Sequence, residues 1–346
     1  MLEESVFSND EIINQIKQNY NIIITKIEIE LRGSANIFYV YDKNNIKYVL
    51  KEFESACNEK NVIKEIDIIN HLKQDGIKVA EYIKTINGDY YFKYKNRTVV
   101  LMKYIYGYVK ESNTGNFKQV IESAELLGKI VKSLENYNKM EEDNIEKWCN
   151  GEKLFNCKQK FNNILEIINK TENSNDSSVT KKIKKDIIDR LKIVSELEKI
   201  NFSEMKNLTM KNCHGDFSIM QFIYEDEKVV AVLDFAKARK MPVAWEIIRS
   251  YTYIDEKCKD GEIDIENLVE YVKEVMKYIK LGKIDLKWMA YFYLVQLVSS
   301  PFGYNEYLRN NELTNLLEFA FWRCKMSRNL YARVEEVSGR LMELID

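Results

Sequence analysis

The feature of this sequence that most constrains its fold is one change of hydrophobic period near Gly107. Before it, residues 22–53 carry IIITKIEIEL, FYVYD and IKYVLKEF, runs rich in β-branched and aromatic residues separated by the turn-like RGSA and DKNN. They predict a three-stranded meander. Val62, Ile66, Ile69 and Leu72 then recur at helical spacing, with Gly76 as a stop. Strand character resumes in VAEYIKTI, in DYYFKYK after an Asn87-Gly88 turn, and in the apolar RTVVLMKYI. After Gly107 the period becomes helical: Phe117, Val120, Ile121, Ala124, Leu127, Val131 and Leu134 share one face, as do Ile183, Ile187, Leu191, Val194 and Leu197, with a loop predicted at 171–178. One later segment departs from this pattern, CHGDFSIMQFIYEDEKVVAVLDFAKA at 213–238, which reads as two short strands around an acidic turn. Helices follow from about residue 265 to the end.

This order predicts an α+β chain in two parts, a small antiparallel-sheet lobe with one helix over 1–105 and a larger, mainly helical lobe over 106–346. At roughly 150 residues per domain, the length of 346 residues suggests about two domains or lobes. The formal charge of −2 argues against nucleic acid as a partner held by a broadly positive surface. Six scattered cysteines without a CxxC pair, and only His71 and His214 to join them, predict free thiols rather than a zinc site. An acidic, polar start and no run approaching 18 apolar residues predict a cytoplasmic protein with no membrane contact.

The chemistry-bearing residues concentrate in the 213–238 segment. Asp216 stands in a His-Gly-Asp loop and Asp234 directly after the apolar VVAVL, 18 residues on, so a tight hairpin between them could bring both carboxylates to one place. Paired carboxylates at a strand edge suit magnesium, which takes hard oxygen ligands and usually completes its shell with substrate phosphates. Turn capping by the two aspartates is the competing reading, and spacing alone leaves both open.

His214-Gly215-Asp216, Gln221 five residues later, Asp234-Phe235-x-x-Ala238, Pro242 and Trp245-Glu246 together resemble the aminoglycoside phosphotransferase and choline kinase-like family. The resemblance covers roughly residues 22–255 and implies the two-lobed protein-kinase-like fold. It implies an enzyme that moves the γ-phosphate of ATP or GTP, with Mg2+, to a hydroxyl of a small molecule. Asp216 would accept or orient the proton of the acceptor hydroxyl, and Asp234 would bind the metal. Gln221 stands where the family has Asn; it keeps a ligating carbonyl oxygen and moves it by one methylene. His214 would shape the loop, and Glu246, where the family usually has Asp, would brace it from the following helix.

In the small lobe, Lys51 resembles the strand lysine that holds the α- and β-phosphates, and Glu65 its helix partner, with Glu59 as the alternative. Gly33, Ser34 and Ala35 lie where a phosphate-covering loop would present backbone N–H groups. Met102, Lys103, Tyr104 and Ile105 resemble the connection whose backbone meets the adenine edge. Cationic acceptors would call for carboxylates or aromatic faces in the helical lobe, and the run Asp255, Glu256, Asp260, Glu262, Asp264 and Glu266 reads instead as a solvated loop. Gln221, Glu246 and the glycine-poor loop motivate a second reading, a catalytically weak kinase-like binding or structural protein similar to spore-coat relatives. Protein kinase activity ranks third, because the catalytic loop is HGD rather than HRD.

Overall fold

A computed structural model describes residues 3–30, 35–171 and 178–345. In chain order the elements begin with α1 (Asn9–Tyr20), β1 (Ile24–Glu30), β2 (Asn36–Asp42), β3 (Lys47–Glu52), α2 (Glu59–Gln74), β4 (Phe92–Tyr94) and β5 (Arg97–Lys103). Then come α3 (Phe117–Ser133), α4 (Glu146–Cys149), α5 (Glu152–Thr171), α6 (Ser178–Leu197), β6 (Met210–Cys213), β7 (Phe222–Glu225), β8 (Lys228–Val232) and β9 (Arg239–Pro242). The chain closes with α7 (Val243–Ile254), α8 (Ile265–Met276), α9 (Lys283–Ser299), α10 (Tyr304–Arg309) and α11 (Thr314–Met342). Contacts divide it into two compact units, Met1–Lys110 with Asn136–Lys139 and Gln221–Ala238, and Glu111–Glu135 with Met140–Met220 and Arg239–Asp346.

The first unit is built on an antiparallel sheet of order β1-β2-β3-β5-β4. Strand alternation sorts its side chains. Phe38, Val40, Leu50, Val99 and Leu101 enter a core with Ile12, Ile16 and Tyr20 of α1. Ile37, Tyr39 and Tyr41 alternate with them and pair with Lys51, Val49 and Lys47 across the strands, so the lysines share the other face. Helix α1 is a second helix where one was expected. Its signal is a capping box in which Ser8 and Glu11 satisfy each other's backbone N–H groups ahead of the apolar Ile12 and Ile16. The chain entering α1 is tied to the sheet by the fully buried Glu52, whose carboxylate accepts from Ser5 Oγ at 2.5 Å and Val6 N at 3.1 Å.

VAEYIKTI is not the strand its residues suggest. It makes isolated bridges only, Val79 with Val232 and Tyr82 with Met102. Its backbone is shared between two partners: Lys78 O accepts from Val232 N at 2.9 Å, while Glu81 O accepts from Lys103 N at 2.9 Å. The β7–β8 hairpin turns at Asp226 and Glu227, both with positive φ (48° and 62°), as a tight hairpin turn requires. The sequence predicts this hairpin as part of the C-terminal lobe. The structure groups it with the first unit, because Tyr108 and Tyr224 exchange both backbone hydrogen bonds, at 2.9 and 2.8 Å. Gly107 makes that approach possible: at φ +140° a Cβ there would lie 2.4 Å from Tyr224 O.

The second unit is helical apart from the β6–β9 pair. Helices begin again at Val243, well before residue 265, because β9 leads straight into α7. Helix α9 is buried nearly all round, with Leu286, Met289, Ala290, Tyr293, Leu294 and Leu297 inside, which marks it as the central helix. Its last carbonyls need donors, and two buried arginines supply them. Arg190 of α6 donates to Leu297 O at 3.4 Å, Ser300 O at 2.7 Å and Ala320 O at 2.8 Å. Arg323 of α11 donates to Gln296 O at 3.2 Å. Arg190→Ala removes three of these bonds and opens a cavity, so it should lower stability by about 3 kcal/mol, measured as a fall in the urea midpoint at unchanged m.

Candidate active site

In the first unit, Lys51 sits on the half-exposed face of β3 with its Nζ 4.6 Å from the centre of the Phe53 ring. Glu65 is buried on α2 at 3% exposure. The Cys57 thiol lies within electrostatic reach of both: burial pushes its pKa up, Lys51 pulls it down and Glu65 raises it. Glu59, the alternative partner, instead takes Lys93 and the Tyr91 hydroxyl. Tyr82, which sequence reasoning did not single out, hydrogen-bonds Glu65. Its pKa is driven well up by burial first, then by Glu65 and Asp234. Glu65 and Asp234 therefore act on one buried hydroxyl.

Asp234 follows β8 in the left-handed conformation, φ 61° and ψ 69°, and opens a short 3-10 turn over Phe235–Lys237. For a residue with a Cβ that conformation costs roughly 1–2 kcal/mol, and such strain concentrates at functional positions. Gln221 ends the turn before β7, and its carbonyl accepts from Leu233 N at 2.8 Å. The hairpin thus brings Gln221 beside the residue that precedes Asp234. Among the described residues, no three His, Cys, Asp or Glu side chains gather as a metal cage. Asp234 and Gln221 offer oxygen donors only, which fits a hard cation completed by phosphates.

Ala35 is buried just before β2, while Gly33 and Ser34 lie outside the described residues. Met102 and Lys103 end β5, and Tyr104 to Tyr106 leave the ladder. Lys47 Nζ stands 4.0 Å from the ring centres of both Tyr39 and Tyr104.

In the second unit, the His-Gly-Asp loop between β6 and the next turn is held from α7. The fully buried Glu246 carboxylate accepts from the backbone N–H groups of His214, at 2.9 Å, and Gly215. His214, also fully buried, accepts the Asp216 N–H at Nδ1 (3.2 Å) and packs edge-on against Phe217. Gly215 at φ +82° turns the chain so that these donors converge.

Asp216 Oδ1 is paired with Arg249, whose guanidinium also stacks on Tyr253, 4.5 Å from the ring centre. Sequence reasoning missed Arg249. The available signal was its place three residues after Glu246, on the same face of α7. Asp255 and Asp264 of the acidic run cap the next turn and α8, accepting from Lys257 N and Asn267 N. Asp255 is buried at 1% exposure where the sequence predicts a solvated loop, because that cap and Asn267 Nδ2 at 2.9 Å take up its carboxylate.

This α+β fold is shared with solved structures of small-molecule phosphotransferases. The chain is similar to spectinomycin phosphotransferase APH(9)-Ia in complex with ADP and spectinomycin, at TM-score 0.66 and 14% identity over 96% of this chain and 100% of that one. An aminoglycoside phosphotransferase from Alicyclobacillus acidocaldarius matches at TM-score 0.66 and 13% identity, covering 97% and 98%. Choline kinase from Cryptosporidium parvum matches at 0.57 and 12%, covering 97% and 99%. No protein-family model and no curated protein matches the sequence.

Glu246→Ala strands two buried N–H groups. It should lower stability by at least about 2 kcal/mol, read as a reduced urea midpoint, with hydrogen exchange accelerating at His214 and Gly215.

Proposed function

We propose that this protein transfers the γ-phosphate of ATP or GTP, with Mg2+, to a hydroxyl of a small cytoplasmic molecule of the aminoglycoside, choline, sugar or amino-alcohol kind. The observation that carries this reading is Asp216, set on a loop braced through Glu246 with one carboxylate oxygen committed to Arg249. That leaves Oδ2 to receive the acceptor proton. In transfer, the acceptor oxygen forms a bond to the γ-phosphorus, the bond to the β,γ-bridging oxygen breaks, the nucleoside diphosphate departs, and the hydroxyl proton passes to Asp216. Arg249 acts as a positioning residue, since its pairing fixes which way the carboxylate turns.

The nucleotide would lie on the first unit. Lys51 would hold the α- and β-phosphates, with Glu65 as the helix partner that the resemblance implies, although here its ammonium lies over Phe53 and Glu65 bonds Tyr82; the backbone of Gly33, Ser34 and Ala35 would cover them. The segment Met102 to Ile105 would meet the base. Asp234 and Gln221 would hold Mg2+, which when bound neutralises charge on the β- and γ-phosphates. The second reading, a kinase-like protein that binds without efficient turnover, is favoured by one observation, the glutamine at 221. Gln221→Asn separates the two: turnover that emerges only with Asn supports the binder, and turnover that falls with Asn supports an enzyme tuned around Gln.

The first test is thermal-shift titration with ATP and GTP, with and without Mg2+. Nucleotide at about 100 times Kd should add roughly 2.7 kcal/mol of stability. The magnesium-dependent part should vanish in Asp234→Ala. In an acceptor screen, Asp216→Asn should lower kcat by about 10²–10⁴-fold and keep the nucleotide shift. Turnover of Asp216→Asn within a few-fold of the natural chain would overturn the assignment.

A further inference from the structure

We propose that a recess in the first unit, beside the segment that follows β5, binds a small organic anion with a flat apolar body, such as an aromatic carboxylate. The recess measures about 590 Å3 and is formed by residues of that unit alone. Ordinary small-molecule sites span roughly 300–1,000 Å3 and combine apolar walls with a few polar groups. Here Ile77, Val79, Ile105 and Val230 supply the apolar walls. Gly76, at φ +79°, turns the chain at the rim of the recess.

The charges favour an anion. Lys73, Lys78 and Lys103 face Glu81 and Glu225 around the recess, three positive against two negative. Glu81 is already engaged by Lys103 at 2.7 Å and Lys73 at 2.9 Å, and these two lysines hold its carboxyl below the usual range. Among the described residues Lys78 makes no ion pair, so its exposed ammonium is the one left for a ligand carboxylate. Glu225, on the rim, repels a second negative charge and so favours a monoanion.

The wall of the recess is also the bridge segment of the fold. Lys78 O holds Val232, two residues before Asp234, and Glu81 O holds the N–H of Lys103. A ligand seated against residues 78–81 touches the segment whose carbonyls hold Val232 and Lys103, so its binding is tied to nucleotide affinity, and reciprocally. The binding claim stands on the recess alone; the linkage rests on the nucleotide reading above.

The test is calorimetric titration of the full chain, free of nucleotide, with 1-naphthoate and with its neutral counterpart 1-naphthalenemethanol. The acid should bind, and the alcohol should bind at least about tenfold more weakly. Lys78→Glu should weaken the acid by about tenfold or more, and Val230→Trp, which fills the recess, should abolish binding. Lys78→Glu changes only an exposed side chain, so it remains decisive if Val230→Trp fails to fold. No binding of the acid, equal binding of acid and alcohol, or full binding by Lys78→Glu overturns the site. Repeating the titration at saturating Mg-ATP should move the naphthoate Kd to a new finite value, whereas a Kd that climbs in proportion to Mg-ATP marks competition for the shared Lys103 to Ile105 segment and overturns the recess as a separate site. An unchanged Kd overturns the linkage and leaves the site standing, whereas failure of ATP itself to bind counts against the nucleotide reading alone.

Discussion

A buried carboxylate is costly unless hydrogen bonds satisfy it, and Glu246 is satisfied by the backbone of the loop it holds. The cost is met and the loop is shaped by the same two bonds. His214 then takes the next N–H, that of Asp216, so consecutive backbone donors are all committed and the loop has little freedom left. Helix α7 can serve as the anchor because its residues from Val243 to Ile248 are themselves buried. One turn further on, Arg249 fixes the Asp216 side chain. A single helix thus orients both the backbone and the carboxylate of the residue proposed to handle the proton.

The first unit solves a related problem with main-chain bonds. Residues 78–82 form no strand of their own, yet they hold β5 through Glu81 and β8 through Lys78. Tyr82 adds a buried hydroxyl on which Glu65 and Asp234 both act. The hairpin, distant in sequence, joins this unit through the paired backbones of Tyr108 and Tyr224, an approach that only glycine at 107 allows. Asp234 is left in the left-handed conformation at the hairpin's end, directly after Leu233, whose N–H is held by Gln221 O.

Much of this was legible in the sequence, for local reasons. Alternating β-branched residues define β1 to β3, and a stripe at helical spacing defines α2, α3 and α6, because those periods follow from backbone geometry. The capping box at Ser8 and Glu11, which opens α1, is an equally local signal. His214, Asp216, Asp234 and Glu246 stand out as a motif. Arg249 carries only a weak signal and Tyr82 none, since their roles come from what surrounds them after folding.

The sequence by itself determined the period of each segment, the turn residues and the set of polar groups available, all of which depend on neighbours within a few positions. Only tertiary structure decided that VAEYIKTI would bridge two elements instead of pairing as a strand, that the hairpin would join the first unit, and that Glu246 would accept from the loop 31 and 32 residues before it. The physical reason is that hydrogen-bond partners and burial are set by which surfaces meet, and residues far apart along the chain meet only once the chain has folded.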